Sequence, residues 1–180
     1  MNVEKQGSGP SLSQPFRVGH GFDLHRLEHG LNFILGGVRL EYDRGCEAHS
    51  DGDVVYHAVT DAILGALAED DIGRIFPDSD PKWKSVDSRV FVEQAVQRMN
   101  HAGYKVGNLD VTVILQKPTI SQYKEQIRSN LSQLLECGFD QVNIKGKTHE
   151  HVDAIGESRA VACHAVVLLL GKRLCTSDIS

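Results

Sequence analysis

A chain of 180 residues has room for one domain with a proper hydrophobic core and too little for two ordinary ones. With 41% apolar and 24% charged residues it reads as an ordinary soluble globular protein, and a formal charge of −5 leaves no basic patch to make nucleic acid its main partner. The four cysteines, Cys46, Cys137, Cys163 and Cys175, show neither CxxC pairing nor a disulfide rhythm and read as reduced thiols.

Residues 1–15, rich in Ser, Gly, Pro and Gln, read as a flexible leader or an expression remnant, without a secretory h-region or the Arg-rich character of a transit peptide. "FRVGHGFDLH" alternates as a short strand ending near His25, and "NFILGGVRLEYD" predicts two short strands around a Gly36-Gly37 turn. The clearest helix lies in "HSDGDVVYHAVTDAILGALAEDDIG", with Ser50 or Asp51 as its cap, Asp53 at the capping-box position and Gly73 beyond its end. After a polar, proline-bearing loop, "PDSDPKWKSVDS", a second helix is expected from about Ser88 to Ala102, with Phe91, Ala95 and Met99 on one stripe and Gly103 as its stop.

"NLDVTVILQKP" predicts a strand up to Pro118, and "ISQYKEQIRSNLSQLLECG" an amphipathic helix on Tyr123, Ile127, Leu131, Leu134 and Leu135. "QVNIKGKT" reads as a strand and "RAVACHAVVLLLGKR" as a long one buried on both faces; its apolar run is too short to cross a bilayer. Together these predict a mixed α/β (α+β) domain over 16–175 with a tail at 176–180: one sheet of about four main strands, helices packed on one face, and a short hairpin.

One polar stripe breaks the apolar surface of the first helix. Asp53, His57 and Asp61 fall at i, i+4 and i+8 on a helix that is hydrophobic almost all round, so these groups need partners or a metal. Taken alone, His57 reads as a core histidine bonded to Asp53 or Asp61. Asp23 and His25 add a second pair, because i and i+2 of a strand point to one face. Two donors from a strand and one from a helix make an Asp/His/His set, and three protein ligands with an open fourth position are the pattern of catalytic zinc. His20, His29 and His101 read as surface or loop residues, His164 as a core histidine of the last strand, and His151 is given no role.

The blocks "GHGFDLH", "LGGV", "AHSDGDVVYHAVTDAILGAL", "DIGRIFPDSDP", "GNLDVTVILQKP" and "VNIKGKTHE", in that order, resemble the 2-C-methyl-D-erythritol 2,4-cyclodiphosphate synthase family over about residues 16–172. The resemblance implies a phosphorus–oxygen lyase of the non-mevalonate isoprenoid pathway, a homotrimer with active sites between subunits. Its substrate would be 4-diphosphocytidyl-2-C-methyl-D-erythritol 2-phosphate, whose 2-phosphate attacks its own β-phosphate to give the cyclic diphosphate and CMP.

By the same resemblance, Asp23, His25 and His57 would hold one zinc ion, or another divalent transition metal, per subunit, and Glu150 a second cation, Mg²⁺ or Mn²⁺, on the diphosphate. His49 and Thr148 match the residues that stabilise the transition state. The substrate would also meet Leu24, Ser50, Asp71, Ile72 and Gly73, and be covered by the loop Phe76, Pro77, Asp78, Ser79 and Asp80. Cytidine would be read by Leu115, Gln116, Lys117, Pro118, Thr119, Ile120 and Ser121, and by Lys147, Thr148, His149 and Glu150. Asp61 fits an orienting role behind the metal ligands.

Two positions depart from the family pattern. Glu157-Ser158-Arg159 reverses the order of charge of an Arg-Gly-Glu set at the mouth of a central cavity, and Thr119 stands where many members carry lysine. Other readings are a non-catalytic zinc-stabilised module, which needs a fourth protein ligand, and a zinc hydrolase or nucleoside deaminase, whose H-x-E…P-C-x-x-C signature is missing. The expected compartment is bacterial cytoplasm, with a plastid-type stroma suiting the sequence as well.

Overall fold

In the computed structural model, residues 14–172 are described; residues 1–13 of the expected leader, Cys175 and the expected tail lie outside them. The chain runs β1 (Phe16–His29), β2 (Phe33–Leu35), β3 (Val38–Leu40), β4 (Arg44–Glu47), α1 (Val54–Leu67), α2 (Ile72–Ile75), α3 (Arg89–His101), β5 (Tyr104–Ile114), α4 (Lys124–Leu134), β6 (Val142–Lys147), α5 (Asp153–Gly156) and β7 (Ala160–Gly171). Five strands form one sheet in the order β4-β1-β7-β5-β6, and β2 and β3 make the separate hairpin. Only β5 and β6 pair in parallel, with α4 crossing between them. This is the expected mixed α/β architecture, with one short strand more. Pairing with β4, from Arg26↔Glu47 to His29↔Arg44, carries β1 four residues past the end expected at His25.

The register of β1 against β7 assigns the faces. Phe22 lies opposite His164 and Asp23 opposite Cys163, so odd-numbered residues of both strands look one way and even-numbered ones the other. The odd face, with Val161, Cys163, Ala165, Val167 and Leu169, is fully buried against residues of α1, α3 and α4. The expectation that β7 is buried on both faces is corrected for the single chain. On the even face Val18 is 65% and Val166 43% exposed, because α1, α3 and α4 lie on the other side and α5 covers only the Ala160–Ala162 end, through Ile155. Among the described residues no helix is long and apolar enough to cross a membrane.

Helix α1 lies directly on β1, and glycine makes that possible. A Cβ on Gly19 would stand 1.8 Å from the Ala62 carbonyl oxygen, and one on Gly21 1.9 Å from that of Ala58. Alternate glycines on the inward side of a strand thus remove the spacer that would otherwise hold a helix off.

The cap of α1 also differs from expectation. Asp53 is the N-cap; its carboxylate accepts from the Val55 and Tyr56 amides and, across the hairpin turn, from those of Gly36 (2.9 Å) and Gly37 (2.7 Å). Ser50 and Asp51 are engaged elsewhere, with His57 and Ser88. At the other end the chain leaves α1 through Ala68 in the left-handed region (φ 60°), and Gly73 lies inside α2. Asp53→Ala would remove a cap worth about 0.5–2 kcal/mol and strand the buried Gly36 amide at about 1–3 kcal/mol, the Gly37 amide being open to water. A loss of roughly 1.5–5 kcal/mol is expected in a denaturant titration.

Candidate functional site

The packing of Gly21 under Ala58 sets the register of the site. Two residues beyond Gly21, Asp23 and then His25 share the inward face of β1; one residue before Ala58, His57 comes down beside them from α1. His57 Nδ1 lies 2.8 Å from Asp23 Oδ2, His25 Nε2 lies 3.1 Å from the same oxygen, and the two nitrogens are 3.2 Å apart. The three donors thus form a nearly equilateral triangle, the one Asp/His/Cys/Glu cluster of its kind among the described residues. Ligands at about 2.0–2.1 Å around a tetrahedral ion stand about 3.3 Å from one another, so the donor set fits a zinc-like cation with one vertex left for another ligand.

The electrostatics suit a cation. Burial alone would raise the Asp23 carboxyl, but hydrogen bonds from His25 and His57, and their charge, hold it well below the usual carboxylate range. Burial alone would lower His57; the Asp23 hydrogen bond and the charges of Asp23, Asp53 and Asp51 outweigh it and raise the imidazole above its ordinary value of 6.5. A raised imidazole pKa means a proton competes with the cation over a wider pH range. Metal affinity, measured by chelator competition between about pH 5.5 and 8.5, is expected to start falling above pH 6.5 on acidification. The fall should approach about tenfold per pH unit once one proton must leave.

A pocket opens in front of the triangle, lined by His25 and His57 together with Ala48, His49, Ser50, Ile72, Gly73, Phe76, Asp78, Trp83 and Phe91. Of the residues expected around the substrate, His49, Ser50, Ile72, Gly73, Phe76 and Asp78 are brought here, while Pro77, Ser79 and Asp80 do not line it. Asp71 is exposed and caps α2, accepting from the Arg74 amide. Leu24 is half exposed and points to the opposite face of the sheet. Asp61 stands outside the triangle and accepts from the Ile72 amide at 2.8 Å, which pins the start of α2 at the pocket rim. His49 Nε2 is buried without a hydrogen-bond partner.

Three lining or supporting residues are not evident from the sequence. Trp83 and Phe91 form an aromatic wall with Phe76, with ring centroids 4.8–5.6 Å apart. The chain's only tryptophan, in a polar loop, is the one signal that points to it. Ser88, fully buried at the start of α3, places its hydroxyl 2.9 Å from His57 Nε2 instead of capping its helix. The His57 imidazole is bonded to neither the Asp53 nor the Asp61 carboxylate but to Asp23, Ser88 and Ser50, so the partners expected for a plain core histidine are not the ones it has.

A second pocket is formed by Leu115, Gln116, Pro118, Thr119, Ile120, Ser121, Lys124, Gly146, Lys147 and Thr148. It gathers most of the residues expected to read cytidine, and Lys124 supplies a cation at the start of α4, close to Thr119. Lys117, His149 and Glu150 do not line it; His149 pairs with Asp153 at 2.8 Å, and Glu150 is exposed beside the Thr148 hydroxyl. The two pockets share no residue, so within one chain Thr148 and Glu150 are not brought to the donor triangle. Glu157 and Arg159 pair with each other. His164 is corrected from a core position to the open even face, where its Nδ1 meets His20 Nε2 at 3.1 Å; His20, His29 and His101 are exposed as expected.

The YgbB family profile matches residues 16–170. The chloroplastic 2-C-methyl-D-erythritol 2,4-cyclodiphosphate synthase of Arabidopsis thaliana is 61% identical over 172 residues, covering 96% of this chain and 74% of that protein. The synthase of Proteus mirabilis is 49% identical over 158 residues, covering 88% and 99%. Among solved structures, the CDP complex of IspF from Plasmodium falciparum superposes with a TM-score of 0.79 at 37% identity, over 89% of this chain and 99% of that one. With a family profile spanning nearly all of the described residues and the donor triangle in place, the chain belongs to the YgbB family.

Proposed function

We propose that this chain converts 4-diphosphocytidyl-2-C-methyl-D-erythritol 2-phosphate to 2-C-methyl-D-erythritol 2,4-cyclodiphosphate and CMP, as its synthase relatives are named for doing. The observation that carries the reading is the open donor triangle facing a pocket lined by both polar and aromatic side chains. In the reaction a 2-phosphate oxygen forms a bond to the β-phosphorus while the bond to the α-phosphate oxygen breaks and CMP leaves. No protein nucleophile is required, so positioning and charge neutralisation are what the chain must supply. Asp23, His25 and His57 would hold zinc, which when bound neutralises phosphate charge and acts as a Lewis acid.

The protein's own groups do the rest. His49, with its unpartnered nitrogen, is placed to donate to a phosphate oxygen, and Phe76, Trp83 and Phe91 exclude water from one wall. Asp61 holds the Ile72-Gly73 segment where it meets the methylerythritol hydroxyls. Lys147 and Lys124 offer positive charge beside the base-reading pocket, compensating for Thr119 where many members carry lysine.

We infer a homotrimer with each active site completed by a neighbouring copy. Two facts support this: most of the apolar even face of β1 and β7, from Phe16 to Leu24 and at Val166, has no cover within the chain, and the two pockets are separate. Thr148 and Glu150 would then face the triangle of another subunit, Glu150 binding Mg²⁺ or Mn²⁺ at the diphosphate. Glu150→Gln is expected to keep zinc at wild-type content yet shift the Mg²⁺ or Mn²⁺ concentration for half-maximal rate upward by about tenfold or more, in line with losing a charged ligand. An unchanged metal titration would remove that role. For the compartment, identity of 61% to a chloroplastic relative against 49% to a bacterial one favours a plastid-type stroma over bacterial cytoplasm.

The deciding assay offers the diphosphocytidyl substrate to the full chain with and without chelator. CMP and cyclic diphosphate in equal amounts, lost on chelation, are expected. CMP without the cyclic product would instead make the chain a hydrolase.

A further inference from the structure

The hydrogen bonds behind His57 form a directed chain. His57 Nε2 is 2.9 Å from Ser88 Oγ and 3.1 Å from Ser50 Oγ. Ser88 in turn gives its hydroxyl proton to Asp51 Oδ1, and its amide donates to Asp51 Oδ2 at 3.2 Å. A serine has one hydroxyl proton and two lone pairs, and a carboxylate accepts only. With its proton committed to Asp51, Ser88 can meet His57 only as an acceptor. The imidazole must then carry a proton on Nε2, so Nδ1, which donates to Asp23 and faces His25, is the nitrogen that can give up its proton to a cation.

We propose that Asp51 and Ser88 are positioning residues that lock His57 in the Nε2–H tautomer, so that its Nδ1 is the donor for the cation; this rests on the zinc reading of the triangle. The two come from different parts of the chain, Asp51 before α1 and Ser88 at the head of α3, so the lock also ties the loop between α2 and α3 to the metal ligand. With the Ser88 proton on Asp51, Ser50 can give its own proton to Ser88 Oγ at 3.3 Å and accept beside it from His57 Nε2 at 3.1 Å. Two observations set this apart from ordinary packing. Ser88 occupies a helix N-cap position yet makes no capping bond, and Asp51 is aimed at it through both carboxylate oxygens.

The test uses the full-length protein and its ¹⁵N-histidine-labelled form. In the zinc-loaded wild type, the His57 imidazole is expected to show an exchange-protected proton on Nε2 and none on Nδ1, and the protein to bind zinc in chelator competition. Ser88→Ala should weaken zinc binding by about 10–100-fold, the loss usual when a hydrogen-bond partner of a ligating histidine is removed, and should lose the protected Nε2 proton. Asp51→Asn, which leaves a weaker acceptor for the Ser88 proton, should fall in between. Far-UV circular dichroism of both variants should match wild type. A Ser88→Ala protein that binds zinc within about threefold of wild type, or a zinc-loaded wild type with its His57 proton on Nδ1 and none on Nε2, overturns the lock. Should Ser88→Ala fail to fold, zinc binding by Asp51→Asn and the wild-type tautomer decide the matter. No zinc binding by wild type at all would overturn the zinc reading itself, and the lock with it.

Discussion

Replacing His57 with alanine is expected to remove zinc and turnover together. His57 supplies one of three donors that stand 2.8–3.2 Å apart, and the remaining Asp23 and His25 are two neighbours on one strand. Two ligands cannot complete the proposed tetrahedral site, which would already leave one vertex to the substrate. The loss of affinity should therefore exceed the about 10–100-fold penalty of removing a group that only supports a ligand. The fold should persist, since α1 keeps Val54, Val55, Ala58, Val59, Ala62 and Ile63 in the core. Elemental analysis of the purified variant, beside CMP release, checks both halves; metal and turnover both retained would refute the site.

Gly21→Ala is expected to cost nearly as much function from a position with no chemistry. Its added methyl would lie 1.9 Å from the Ala58 carbonyl oxygen, where about 3.4 Å is ordinary contact, so α1 must lift off β1 by more than about 1 Å. Overpacking of this kind costs about 1–3 kcal/mol in yielding sites and more against rigid backbone. We expect a loss above about 3 kcal/mol, or a thermal midpoint lower by about 6–12 °C. Because the same contact sets the distance from Asp23 and His25 to His57, zinc affinity should drop as well. Gly30→Ala is the control: φ is 79° but nothing lies within 4 Å, so it carries only left-handed backbone strain and should leave zinc untouched. A Gly21→Ala protein with wild-type midpoint and metal content would show that the register is set elsewhere.

The donor triangle is legible in the sequence because its signals are local: Asp23 and His25 share a strand face by spacing alone, and His57 stands out on an apolar helix. What is not legible depends on partners far along the chain. Ser50 and Asp51 have the composition of caps, but His57 and Ser88 claim their side chains, leaving Asp53 to cap. Ser88 is visible as a helix start; its bond to His57 spans 31 residues and leaves no local trace. Strand β4, Arg44–Glu47, has no apolar alternation, and only its pairing with β1 makes it a strand. The apolar run of β7 says that both faces avoid water without saying whose atoms do the covering. Gly19 and Gly21 are readable in principle, as alternate glycines inside a strand mark a close approach.

The uncovered face of β1 and β7 has a consequence for how the protein comes into being. A newly made chain carries Phe16, Val18, Phe22, Leu24 and Val166 on one open plane, each more than two-fifths exposed to water. Such a plane sticks to whatever apolar surface arrives first, so assembly of the proposed homotrimer would compete with clumping as a race in concentration. Dilution should then lower the melting temperature, and the chain's durability should be a property of its population rather than of any lone copy.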